Sequence, residues 1–107
     1  MTTLPYPDNK GKRRKFTTID GRPLFVIIDD EIVRPQESAP HKKLIYLQRL
    51  RHEKDNRIEY RFTYYMAGFK KGRTRGRWVF GQYSLVVPPE DLKQLLDQAR
   101  SKNWEGF

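Results

Sequence analysis

From Ile58 to Met66 every second side chain is large and apolar or aromatic, with Glu59, Arg61, Thr63 and Tyr65 set between Ile58, Tyr60, Phe62, Tyr64 and Met66. A two-residue period cannot gather on one side of a helix, whereas an extended strand sends alternate side chains to opposite faces. Ile58 to Ala67 is therefore a strand. It is flanked by two short polar stretches, Glu53-Lys54-Asp55-Asn56-Arg57 before it and the Gly-rich run Gly68 to Gly76 after it. A parallel neighbour needs a crossover of about a dozen residues or more, so both adjoining strands must be antiparallel to it.

The same reasoning extends along the chain. Phe16 to Ile19 predicts a short first strand, and Asp20-Gly21 a hairpin turn, because glycine accepts a positive φ without a side-chain clash. Leu24 to Val33 predicts the next strand, apolar on both faces at Phe25, Val26, Ile27 and Ile28. Arg34 to His41 connects it to the third, Leu44 to Leu50, since Pro35 and Pro40 each lack a ladder donor. Arg77 to Val87 is expected to return as a long last strand after a hairpin tip at Gly68 to Gly76. At the end, Pro88-Pro89-Glu90-Asp91 starts a helix, with proline where no N–H is needed and two carboxylates where the helix dipole favours them. Leu92, Leu95, Leu96 and Ala99 then form a single apolar stripe, Asn103 closes the helix, and Trp104 and Phe107 fold back on the sheet. The predicted class is a two-layer α+β domain, a four- to five-stranded, mainly antiparallel meander sheet packed against one C-terminal helix.

With 107 residues the chain supports one core. Residues 1–14 hold two Pro, a Gly and few apolar side chains, so they predict a flexible basic tail, and residues 15–107 the single folded domain. One helix covers only part of one sheet face. The other face is expected to meet a second copy of the chain in a homodimer, to present rings to a ligand, or to be crossed by the loops and residues 1–19. The chain has no Cys, which excludes disulfides, thiolate chemistry and Cys-ligated metals. Its longest apolar run, Leu24 to Ile28, is far too short to span a bilayer, and its polar N-terminus does not read as a secretory signal. An intracellular location, cytoplasmic or with the nucleoid or nucleus, and no membrane partner are expected.

Charge carries the functional reading. Lys and Arg number 22 against 13 Asp and Glu, for a net charge of +9. Lys10, Lys12, Arg13, Arg14 and Lys15 form one cluster, and Lys70, Lys71, Arg73, Arg75 and Arg77, interleaved with Gly68, Gly72 and Gly76, form another. The 30 positions between Glu59 and Glu90 contain no carboxylate and six basic residues, a bias that favours an anionic neighbour. Arginine grips a phosphate through two parallel N–H groups and stacks on bases. Among the aromatics, Phe62 and Phe80 are expected in the core, while Tyr65 and Phe69, close to the basic tip, are candidates for base stacking beside Arg61. Arg49 and Arg51 would extend this positive field if they share a face with Arg61.

These observations predict a non-enzymatic nucleic-acid-binding protein with a slight preference for single-stranded DNA or RNA. Its expected contacts are Lys70, Lys71, Arg73, Arg75, Arg77, Arg61, Tyr65, Phe69, Lys12, Arg13, Arg14 and Lys15. The helix has no basic face, since Lys93 and Arg100 are offset by Asp97 and Gln98, which argues against helix-in-groove reading of a duplex. Another reading is an adaptor or regulator that meets an acidic protein. A third is a metal-dependent nuclease built on Asp30, Glu59 and Lys54. Neither the two separated histidines nor the Gly-rich run matches a metal or nucleotide motif, so no catalytic residue, metal or cofactor is expected.

Overall fold

The alternating segments form one antiparallel sheet whose strands follow chain order, β1 (Arg13–Thr17), β2 (Pro23–Pro35), β3 (Lys43–His52), β4 (Ile58–Ala67) and β5 (Trp78–Phe80). The helix α1 (Pro89–Ser101) follows them, completing the expected two-layer α+β meander. The computed structural model describes residues 5–68 and 76–107. Gly21, at φ 85°, makes the β1–β2 turn, where its N–H donates to Thr18 O at 2.9 Å. Among the described residues no helix is long and apolar enough to cross a membrane.

Register decides which side chains share a face. Leu47 stands opposite both Ile32 and Phe62, and Gln48 opposite both Glu31 and Arg61. The pairing shifts between Ile28 and Asp30, and this bulge leaves Val26 and Ile28 on the same face as Glu31 and Val33. One face takes the helix. Ile32, Ile45 and Leu47 pack with Leu95, Ala99 and Trp104 in a buried cluster that Tyr60, Leu85, Val87, Leu96 and Phe107 complete.

Two devices hold α1 there. Asp91 in its first turn is buried and accepts from Arg34 Nε at 2.7 Å and from the Glu37 backbone N–H at 3.1 Å, tying the helix to the end of β2. At the other end Asn103 adopts φ 58°, and the Trp104 N–H donates to Ala99 O at 3.1 Å, which turns the chain back as predicted. The Trp104 ring then stacks on Tyr60 with centroids 5.6 Å apart, and Phe107 meets Tyr60 edge-on at 5.0 Å.

Three expectations need correction. The last strand is three residues long and does not reach Val87. Gly81 is drawn onto β4 by its N–H bond to Tyr64 O at 2.7 Å, and the Tyr83 N–H then donates to the Tyr64 hydroxyl at 3.1 Å, so the chain wraps around that ring and leaves the ladder. Phe62 and Phe80, expected in the core, are 40% and 44% exposed: Phe62 is on the helix face, but α1 lies over β2 and β3 and leaves it open, while Phe80 pairs with Tyr65 on the opposite face, on the short edge strand. Finally, order begins well before Lys15. β1 starts at Arg13, Asn9 is buried, and the Tyr46 hydroxyl donates to Pro7 O at 2.6 Å. Residues 5–12 thus cross the face opposite the helix, the third of the covers expected for it.

A Cβ on Gly81 would overlap the ring of Tyr64, which is itself buried and has little room to yield. Gly81→Ala is expected to lower stability by about 2 kcal/mol, within the usual range for overpacking. Tyr83→Ala, which removes an exposed side chain from the same segment, should change it by less than about 0.5 kcal/mol in the same urea titration.

Candidate functional site

On the face away from α1 the sheet curls. Phe16 comes from β1 at one edge and Phe80 from β5 at the other, yet their ring centroids lie 5.2 and 5.7 Å from the Arg61 guanidinium carbon on β4. Curling opens a hollow of about 260 Å³ lined by Asn9, Arg14, Lys15, Phe16, Gln48, Arg61, Tyr65 and Phe80. Its rings are mutually braced, with Tyr65 edge-on to Phe80 at 5.4 Å and to Tyr46 at 5.2 Å.

A chain of hydrogen bonds orients the floor. Gln48, wholly buried on β3, accepts from Arg61 Nε at 2.9 Å and Nη2 at 2.7 Å on its carbonyl oxygen. Its amide nitrogen donates to Glu31 Oε1 at 2.9 Å. Glu31 Oε2 accepts the Asn9 backbone N–H at 2.8 Å, which fixes the crossing segment to the sheet. Asn9 Oδ1 in turn accepts from Arg14 Nη2 at 3.4 Å and from the Tyr65 hydroxyl at 3.2 Å. Asn9 therefore walls one side of the hollow from β1 to β4.

The electrostatics are unbalanced. Burial is the main influence lowering the Arg61 guanidinium from its ordinary value, and repulsion from Arg14 adds to it, while Tyr65 and Glu31 oppose it. Among the described residues neither Arg14 nor Arg61 forms an ion pair, although most other arginines do. Glu31 is the one carboxylate in this network, and its oxygens are committed to Asn9 and Gln48. Burial, followed by the field of Glu31, pushes the Tyr46 phenol well above its usual range, so it stays a neutral donor to Pro7.

Three residues expected from sequence, Arg14, Arg61 and Tyr65, are brought together here, while Lys15 borders the hollow but shares the opposite side of β1 with Arg13. Others are not. Arg13 points to the opposite side of β1, lies over Phe25 and makes a two-pronged pair with Glu53, at 2.7 and 3.0 Å, that raises its pKa. Lys12 and Arg77 are exposed beyond the hollow, and Phe69, Lys70, Lys71, Arg73 and Arg75 lie outside the described residues. Arg49 stands opposite Tyr60, on the helix face, where Asp29 and Glu105 engage it, and Arg51 shares that face. The register is one residue away from the one that would have joined them to Arg61.

The imagined nuclease constellation is likewise dispersed. Asp30 faces α1 and accepts from Lys102 Nζ at 3.1 Å, whereas Glu59 lies on the other face beside His52. Sequence reasoning missed Asn9, Glu31 and Gln48. A lone amide inside the apolar segment Leu44 to Leu50 was the available signal for Gln48, and nothing in the tail marks Asn9. Compared with protein-family models, curated proteins and solved structures, the chain matches none.

Glu31→Ala removes the carboxylate that Asn9 and Gln48 share. A loss of about 2 kcal/mol is expected, as for hydrogen bonds to a charged group. Hydrogen exchange should speed up at Asn9 and along residues 5–12, while the amides of α1, anchored on the other face, keep their relative protection.

Proposed function

We propose that the protein binds nucleic acid without acting on it chemically, with unpaired DNA or RNA favoured over duplex. The observation that supports this most directly is the hollow itself, where Arg14 and Arg61, without carboxylate partners among the described residues, stand beside Phe16, Tyr65 and Phe80. Two adjacent like charges at a half-buried site repel each other, and an anion placed between them relieves that repulsion. Aromatic rings next to guanidinium groups suit a base stacked beside its phosphate, with roughly 1–3 kcal/mol from each stacked base.

The concave shape favours a single strand. A duplex hides the faces of its bases, and rings set inside a curled sheet can be reached only by a base that has left the stack. The β4–β5 pairing continues past Tyr65 and Phe80 to Gly68, whose N–H donates to Arg77 O at 2.8 Å. Lys12 and Arg77 are exposed and suited to contact backbone further along.

The test is equilibrium binding of single-stranded DNA, single-stranded RNA, duplex oligonucleotides and a charge-matched acidic polypeptide across a salt series. Arg14→Ala and Arg61→Ala should each weaken single-strand binding. Each should also flatten the log–log salt dependence by about 0.7 for every phosphate that the variant no longer neutralises. Leu95→Ala, in the helix-side core, should instead cost about 3 kcal/mol of stability. Equal affinity for the acidic polypeptide would favour an adaptor that meets an acidic protein.

A further inference from the structure

We infer that the hollow takes a terminal phosphate, the monoester at the end of a nucleotide chain or on a free nucleotide, in preference to an internal phosphodiester. This rests on the nucleic-acid reading above and deepens it.

The first reason is the wall. Asn9 spans the space between Arg14 on β1 and Tyr65 on β4, held from behind by Glu31, and the segment before it is fastened to Tyr46 through Pro7 O at 2.6 Å. A strand laid over Phe80 and Tyr65 toward Arg61 meets this barrier and cannot continue across β3 and β2. A binding groove for internal segments would be open at both ends. This one is closed on the side where the guanidinium groups converge.

Size and charge agree with the wall. At about 260 Å³ the hollow falls just below the ~300–1,000 Å³ of ordinary small-ligand pockets, room for one phosphate and one ring. Arg14 and Arg61 bring two positive charges to it, while Glu31, its oxygens taken up by Asn9 and Gln48, is not among the residues that line it. An internal phosphodiester brings one negative charge. A terminal monoester, with a second pKa near 6, carries about −1.5 to −2 at neutral pH and offers three acceptor oxygens. Gln48 already engages Arg61 through Nε and Nη2, so Nη1 remains as a donor toward the hollow, and the Nε of Arg14 is similarly uncommitted among the described residues. The monoester matches both the charge and the number of donors.

The experiment compares one single-stranded oligonucleotide in three forms, 5′-phosphorylated, 3′-phosphorylated and with hydroxyls at both ends, together with a nucleoside monophosphate and its nucleoside. Binding to the intact chain is followed by anisotropy and calorimetry. One phosphorylated form is expected to bind at least tenfold more tightly than the hydroxyl form. Arg61→Lys, which keeps the charge and loses the fork, should abolish that preference, with circular dichroism confirming the fold. Asn9→Ala, which removes the side chain of the wall, should narrow it.

Equal affinity for all three forms, with binding still dependent on Arg14 and Arg61, would overturn the terminal-phosphate inference and leave the nucleic-acid reading standing. Tight binding of the nucleoside monophosphate without binding of any oligonucleotide would support the phosphate hollow and overturn the polymer reading. Failure of every phosphate-bearing probe would overturn both.

Discussion

One buried amide joins the two halves of the open face. Gln48 sits at the centre of the middle strand, accepts both Arg61 bonds on its carbonyl oxygen and passes a hydrogen bond to Glu31 from its nitrogen. A buried polar group without partners costs several kcal/mol at the upper end, so this side chain holds its neighbours to a narrow geometry. Through Glu31 the constraint reaches Asn9, and through Asn9 it reaches Arg14 and Tyr65. An apolar residue at position 48 would leave Arg61 with no oxygen to meet and Glu31 with one donor fewer. Fold and candidate site are coupled at this point.

The two sheet faces follow different rules. Under α1 the packing is apolar and aromatic, and its one buried charge, Asp91, is matched by Arg34 and a backbone N–H. The opposite face has apolar packing of its own, Val26, Ile28 and Leu50 with Phe16, and beside it the network of Gln48, Glu31, Asn9, Arg14 and Arg61 leaves positive charge in excess. Both faces bury apolar side chains. The second keeps like charges close together, an arrangement that is unfavourable in isolation and becomes favourable when an anion arrives. Mid-strand bulging in β2 serves both faces, since it keeps Ile28 and Glu31 on the open face while Asp30 turns toward Lys102 beside the helix.

Much of the architecture was legible from local pattern. The alternation in β4, the Gly21 turn and the Pro89 helix start each obey a short-range rule, and all appear where those rules put them. What the pattern could not disclose depends on curvature and on single-residue register. Arg49 and Arg61 both read as alternating cations at the sequence level, and only the pairing of Gln48 with Arg61 sends them to opposite faces. Phe16 and Phe80 lie 64 positions apart and belong to opposite edges, so their approach to one guanidinium is a property of the sheet's curl. Asn9 stands in a segment whose composition resembles a disordered tail, and its burial follows from the carboxylate that waits for it on β2.

The curled sheet still has two free margins, and their make-up bears on how the molecule behaves in a crowded solution. One margin is β5, three residues long, and the other is β1, where Arg13, Arg14 and Lys15 follow one another. A stray strand seeking a ladder would find too short a template at the first and concentrated electrostatic repulsion from any similarly charged chain at the second. The cationic run on β1 therefore guards against self-association into fibrils, while one of its members, Arg14, turns inward to face the hollow.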